Sequence, residues 1–483
     1  MSLCPVLITL FGATGDLAKR KLYRSIFSLY QKESIPEENF AVIGTGRRKW
    51  SDNYYRTIIS DSIKDLSDDW EEISEFVSHF YYLSHDVTDE DHYAVLYDKV
   101  EELDKKYQIE GNRLFYLSMA PHFFGLIANH LKDHGFINRD RGFNRLVIEK
   151  PFGSDYETAK QLNDELTHSF LEDEIFRVDH YLGKATVKNI LTVRQANAMI
   201  ESLMNRQFVK EIQVSLLEDM GIGTRGSYYD VTGASRDMLQ NHILQLISLV
   251  LMDLPEEDTP ECIHRAKEKV LQEIELMTED NVNERIVRGQ YGADDPTNTA
   301  YRDETDVDSD SITETYISGY FSVDNDRWRD VPVYFRTGKQ LAEKLSVVHV
   351  VFKNQFALKD AKQKENVLSF YLSGDRGVQI RLNTISSNPK RHNEAVPLNY
   401  SKVDEQLAAF ADDYEFILYD SIAGRNENFV HWSELAQSWK IVDSIRSSWK
   451  AHPAPEFPNY EVGSVGPYAS DMMLRQNNSS WLY

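Results

Sequence analysis

Across the first 180 residues, short apolar runs alternate with stretches of helical spacing, and few folds accept that alternation. Residues 5–11, 40–44, 80–83, 113–119 and 145–150 read as strands. Residues 16–30, 89–106, 121–134 and 155–170 carry helical periodicity, as in Leu17, Leu22, Ile26 and Leu29, which fall on or near one face. Strands separated by helices of this length pair in parallel, so residues 1–180 are predicted to form a doubly wound α/β sheet.

The first turn of that half refines the prediction to a Rossmann-like, dinucleotide-binding domain. Gly12, Gly15 and Ala18 form a G-x-x-G-x-x-A spacing between a strand and a helix. Glycines there let the backbone approach a pyrophosphate, whose charge is met by the helix N-terminus. It is not a Walker loop, because Lys19 is followed by Arg20. A site for NAD usually ends its second strand with an acid that holds the ribose 2′-hydroxyl. Here the chain reads Gly44-Thr45-Gly46-Arg47-Arg48, and two guanidinium groups suit a 2′-phosphate, which favours NADP, with NAD the weaker alternative. Glu149-Lys150-Pro151 closes the fifth strand, where strand ends face the ligand crevice, so Lys150 is placed to reach the cofactor, the substrate or both.

Residues 177–184 read Arg-Val-Asp-His-Tyr-Leu-Gly-Lys. Imidazolium, ammonium and phenol groups all donate to phosphate-like oxygens, so the octet suits an anionic ligand. Beyond it the pattern changes to an α+β one, and residues 181–483 are predicted to form a larger domain with a mainly antiparallel sheet and helices. Helical patterns cover 186–204, 237–252, 414–422 and 433–448, and strands 211–217, 315–321, 331–336, 347–352, 367–372 and 378–383. Gly374-Asp375-Arg376-Gly377 reads as a hairpin link, and 292–310 as a polar, acidic surface loop. An open sheet face of this kind often becomes an oligomer interface, giving the expectation of a homodimer or homotetramer.

Bulk properties narrow the function. A net charge of −24 opposes nucleic-acid binding and anionic membranes, though a local basic cluster still accommodates an anionic small substrate. Cys4 and Cys262 form no disulfide framework and no CxxC metal site, so no metal is expected. The start of the chain lacks a signal-peptide pattern, and the longest apolar stretch, 243–252, is about half of the ~20 residues a membrane span needs. A cytoplasmic location fits.

The chain resembles glucose-6-phosphate dehydrogenases nearly end to end. The resemblance is carried by the run from Gly12 to Leu22, by Glu149-Lys-Pro-Phe-Gly153 and by the octet ending at Lys184. It continues through Arg236-Asp-Met-Leu-Gln-Asn-His242 and Arg336-Thr-Gly-Lys-Gln-Leu341. It implies oxidation of glucose 6-phosphate at C1, with hydride passing to NADP. It further implies His242 as general base, with Asp179 bonded to it as orienting carboxylate. His180, Tyr181 and Lys184 would hold the 6-phosphate. Glu218 and Asp237 would accept from sugar hydroxyls, Lys339 and Lys344 would donate to the substrate, and Lys21 and Lys150 would bridge toward the reacting centre. Gly12, Thr14, Gly15, Asp16, Leu17, Arg47, Arg48 and Lys150 would contact the cofactor. A related sugar oxidoreductase acting on an unphosphorylated substrate is the rival reading, and His180, Tyr181 and Lys184 argue against it.

Overall fold

The computed structural model describes residues 3–293, 295, 297–355, 363–374, 377–386, 393–400 and 412–482. Contacts divide the chain into two compact units. The first holds residues 3–184, Thr259–Glu261 and the described part of 410–432; the second holds the remaining described residues.

The first unit is built on six parallel strands: β1 (Val6–Phe11), β2 (Phe40–Gly46), β3 (Phe80–Ser84), β4 (Arg113–Leu117), β5 (Asn144–Ile148) and β6 (Ile175–Arg177). Their order is β3-β2-β1-β4-β5-β6, the doubly wound arrangement that the strand–helix alternation predicts. All six residues of β1 are buried, as expected of a strand covered by helices on both faces. Two helices in this unit lie outside the expected helical stretches, Asp52–Ile63 and Trp70–Ser78, each opened by a side-chain cap from Ser51 or Asp69. The helix Asp413–Ala423, 230 or more positions away from β6 in the chain, joins this unit and buries Ile417, Leu418 and Ile422 in the same core as Leu22, Ile26 and Phe176.

The second unit is built on an eight-stranded sheet made of β7 (Val209–Leu217), β8 (Ile286–Gly289), β10 (Tyr316–Phe321), β11 (Val333–Gly338), β12 (Leu345–Phe352), β13 (Val367–Tyr371), β14 (Val378–Ile385) and β15 (Asn393–Tyr400). The short β9 (Tyr291–Gly292) pairs separately with β16 (Tyr460–Glu461). Pairing in the large sheet is antiparallel except between β7 and β11. The hairpin link between β13 and β14 includes Asp375 and Arg376, which lie outside the described residues.

Two expected elements differ in detail. The single helix expected over 186–204 is two, Ala185–Ala196 and Ala198–Leu203, interrupted at Asn197, whose backbone leaves the helical region. The acidic segment 292–310 is mostly exposed among its described residues, as expected of a surface loop, but it is anchored by Tyr301, which is fully buried and donates a 2.9 Å hydrogen bond to Asp230. No helix among the described residues is long and apolar enough to cross a membrane.

Candidate functional site

In the first unit, the glycine turn follows β1 directly and opens onto helical chain at Asp16. Gly12 adopts φ +85°, and a Cβ there would stand 2.1 Å from the Ser118 carbonyl oxygen. Any other residue would therefore push this turn off β4's exit. Thr14 and Gly15 remain partly exposed at the turn, whereas Leu17 packs against the core and Asp16 pairs with Arg20 at 2.8 Å on the surface. Arg47 and Arg48 are exposed immediately beyond β2. The donor set matches a dinucleotide: a glycine turn, a helix start, a threonine hydroxyl and two guanidinium groups at the second strand's end. Lys21 lies on a π-wound segment, Ala18–Leu22, and pairs with Asp412 at 2.7 Å.

The octet sits beyond β6 and is supported from behind. Arg177 is buried and grips Glu172 with both terminal nitrogens, at 2.6 and 2.9 Å, while donating to Asn163 at 2.6 Å. Asp179, buried, accepts from the Tyr181 amide at 2.9 Å. The amide of Leu182 donates to the Asp179 carbonyl, which curls the chain and sets the Lys184 ammonium 4.0 Å over the Tyr181 ring. His180 lies against the same ring, 4.9 Å between centroids. Gly183 lets the helix Asp413–Ala423 approach, since a Cβ there would stand 2.9 Å from the Asp413 carbonyl oxygen. The structure thus brings His180, Tyr181 and Lys184 together, as the sequence motif implies.

Glu149, the first residue of the Glu-Lys-Pro string, has partners that the string does not show. Tyr116 donates to it at 2.6 Å and Tyr414 also bonds to it. Burial pushes its carboxyl up to about 6, with the Asp179 charge adding to the rise and the tyrosines and Lys150 opposing it. Lys150 itself follows the end of β5 and precedes a cis bond to Pro151.

In the second unit, β7 and β11 run parallel, and their ends place Glu218 and Lys339 side by side. Lys339 is buried, bonds to Glu218 and lies 3.8 Å from Asp237. Its backbone is fixed by Thr315, which accepts from its amide at 3.0 Å, and by Tyr460, whose hydroxyl donates to its carbonyl at 2.9 Å. Lys344 is exposed on the loop before β12 and makes no hydrogen bond or ion pair with the other candidates among the described residues.

Asp237 and His242 both belong to Ser235–Ile243, a π-helical segment that continues as the α-helix Leu244–Leu251. The winding matters, because the two residues are five apart. At the α spacing, positions five apart point about 140° away from each other. With i→i+5 winding the separation closes to about 50°, so the two side chains share a face. Both are buried. The segment's start is clamped by Glu314, which accepts from the Ser235 amide at 3.0 Å and from its hydroxyl at 2.5 Å, while Arg446 donates to that hydroxyl at 2.8 Å. A carboxylate at a helix N-terminus also meets the positive end of the dipole. At the far end, Arg194 donates to the carbonyls of Leu249 and Met252, and Trp328 to that of Leu251, each at 2.7 Å. Residues 194, 314, 328 and 446 carry no local sequence signal for this work; only the tertiary structure puts them there.

The candidate residues therefore divide between the units: the glycine turn, Lys21, Arg47, Arg48, Lys150 and the octet in the first, and Glu218, Asp237, His242, Lys339 and Lys344 in the second. Comparison with known proteins covers both halves of the chain. The chain matches the family model for the glucose-6-phosphate dehydrogenase NAD-binding domain over residues 9–189 and that for the C-terminal domain over 191–482. It is 44% identical to glucose-6-phosphate 1-dehydrogenase of Streptococcus pneumoniae over 99% of this chain and 97% of that protein. It is 40% identical to that of Leuconostoc mesenteroides, over 99% and 98%. Among solved structures, a glucose-6-phosphate dehydrogenase in complex with its substrate glucose 6-phosphate superimposes with a TM-score of 0.92 at 29% identity, covering 100% of both chains. With both halves and their full length matched, the chain belongs to the glucose-6-phosphate dehydrogenase family.

Proposed function

We propose that the protein oxidises glucose 6-phosphate at C1 to the 6-phosphogluconolactone, with NADP as hydride acceptor, the entry reaction of the oxidative pentose phosphate route. The observation that carries the reading is the intact octet, with His180 and Lys184 both against the Tyr181 ring and Asp179 buried, in a chain that matches family members over nearly its full length. NADP supplies the hydride acceptor when bound. His242 takes the proton of the C1 hydroxyl, so that negative charge develops on oxygen as the C1 hydrogen departs as hydride; a neutral imidazole nitrogen accepts a proton and suits this role. Asp179 is the carboxylate that steadies the resulting imidazolium. His180, Tyr181 and Lys184 hold the 6-phosphate. Glu218 and Asp237 accept from sugar hydroxyls, with Lys339, Lys344, Lys21 and Lys150 as substrate donors. Gly12, Thr14, Gly15, Asp16, Leu17 and Lys150 serve the cofactor, and Arg47 and Arg48 hold its 2′-phosphate. A cytoplasmic homodimer or homotetramer accompanies this reading.

The test is a spectrophotometric assay of the purified protein with glucose 6-phosphate and with glucose, each with NADP and NAD. Reduction with glucose 6-phosphate is expected to exceed that with glucose by orders of magnitude; equal efficiency would rule out a phosphate site. Lys184→Ala is expected to raise KM for glucose 6-phosphate about tenfold or more while kcat stays near wild type. A charge-assisted hydrogen bond to a phosphate remote from C1 contributes chiefly uniform binding. An unchanged KM removes Lys184 from the phosphate contacts.

A further inference from the structure

The turn that carries Arg47 and Arg48 leaves the sheet at Gly46 and is exposed, yet its backbone is tied down. Tyr82, buried on the neighbouring strand β3, directs its hydroxyl at two carbonyls of this turn, Gly46 at 3.0 Å and Arg48 at 2.8 Å. One phenolic proton is shared between the two acceptors. Burial pushes that hydroxyl up to about 12, which keeps it a donor at working pH. Gly46 permits the approach, because a Cβ there would stand 3.1 Å from the Tyr82 oxygen.

A second layer fixes the side chain itself. Trp50 packs on Tyr82 with centroids 5.3 Å apart, its amide donates to the Arg48 carbonyl at 3.1 Å, and the Arg48 guanidinium lies over its ring at 5.5 Å. Asp52 in turn accepts from the Tyr82 amide at 2.7 Å. Tyr82, Trp50 and Arg48 thus form one stack from sheet to surface. An arginine held over an aromatic face gives up less rotamer entropy on meeting an anion than one moving freely in water.

We propose that Tyr82 is a positioning residue for cofactor selectivity, pinning the Gly46–Arg48 backbone so that Arg48, resting on Trp50, is pre-organised for the 2′-phosphate that separates NADP from NAD. The inference rests on the NADP reading above. Its distinguishing consequence is selectivity: a hydroxyl that merely supports the sheet would serve both cofactors alike, whereas one that aims Arg48 serves only the cofactor bearing the extra phosphate.

The experiment compares wild type with Tyr82→Phe and Trp50→Leu, measuring kcat/KM for NADP and for NAD at saturating glucose 6-phosphate. Calorimetric binding of adenosine 2′,5′-bisphosphate and of AMP provides a readout independent of turnover. In Tyr82→Phe the efficiency with NADP and the affinity for the bisphosphate are expected to fall about fivefold, the size of one neutral hydrogen bond, while NAD and AMP values stay within about twofold. Trp50→Leu is expected to shift the ratio in the same direction. An equal fall for both cofactors, or an unchanged ratio, overturns the proposal while leaving the NADP reading intact. A wild type with no preference for NADP overturns that reading, and this inference with it.

Discussion

Replacing His242 with asparagine is expected to lower kcat for glucose 6-phosphate oxidation by about a thousandfold, with KM changed only a few-fold. General-base catalysis is commonly worth ~10²–10⁴ in rate, and asparagine keeps a polar side chain of similar reach without a group that takes up the proton. The residue is fully buried within the π-wound segment Ser235–Ile243, so the smaller side chain leaves a small void and a modest loss of stability accompanies the kinetic effect. Steady-state kinetics with the substrate and NADP, beside a thermal melt, separate chemistry from folding. Turnover within tenfold of wild type in a folded variant would remove His242 as base. The same result would leave the family assignment untouched, because that rests on the match along both halves.

The second large effect concerns stability. Glu434 is fully buried between His264, at 2.7 Å, and Lys267, at 2.7 Å and likewise fully buried. Burial alone would raise the Glu434 carboxyl, but the Lys267 and His264 charges outweigh it and hold the group down at about 2. A carboxyl whose folded value lies below its unfolded one adds stability above its ordinary range, and loses it as pH falls toward 2. Lys267→Met leaves the carboxylate buried with histidine alone and is expected to cost about 3–5 kcal/mol at pH 7, read as a fall in Tm of about 10 °C. Without the ammonium, the Glu434 carboxyl moves upward, so protonation relieves the strain and the penalty shrinks toward pH 4. A Tm within about 2 °C of wild type at pH 7, or a penalty that grows on acidification, would refute this account.

How much of this was legible beforehand follows from the range of each signal. The parallel strands show in the chain because β1 and β2 are buried along nearly their whole length and read as mostly apolar runs, broken only by Thr9 in β1 and by Gly44, Thr45 and Gly46 at the end of β2. The helices Asp52–Ile63 and Trp70–Ser78 do not stand out, because their buried positions are few and separated by charged ones. The octet and the glycine turn are local clusters, so their chemistry is visible as text. Arg336 belongs to a recognisable string as well, and its buried side chain donates to Ser215 within the sheet at 2.8 Å, a contact the string does not show. Glu172 and Asn163, which hold Arg177, and Glu314, which starts the helix of His242, have ordinary sequence surroundings.

By itself, the sequence determined the two fold classes, the family and the chemical types available: imidazole, carboxylates and a clustered set of cations. Those depend on short-range periodicity and on residues within a few positions of one another. The tertiary structure alone decided three further things. It returned the helix Asp413–Ala423 to the nucleotide-binding unit, against Gly183 and Glu149. It wound Ser235–Ile243 with five-residue spacing, which turns Asp237 and His242 to one face. It set Tyr82 beneath the turn that presents Arg47 and Arg48. Each outcome depends on packing between segments distant in the chain, and the free energy of such contacts is not written in the spacing of any one of them.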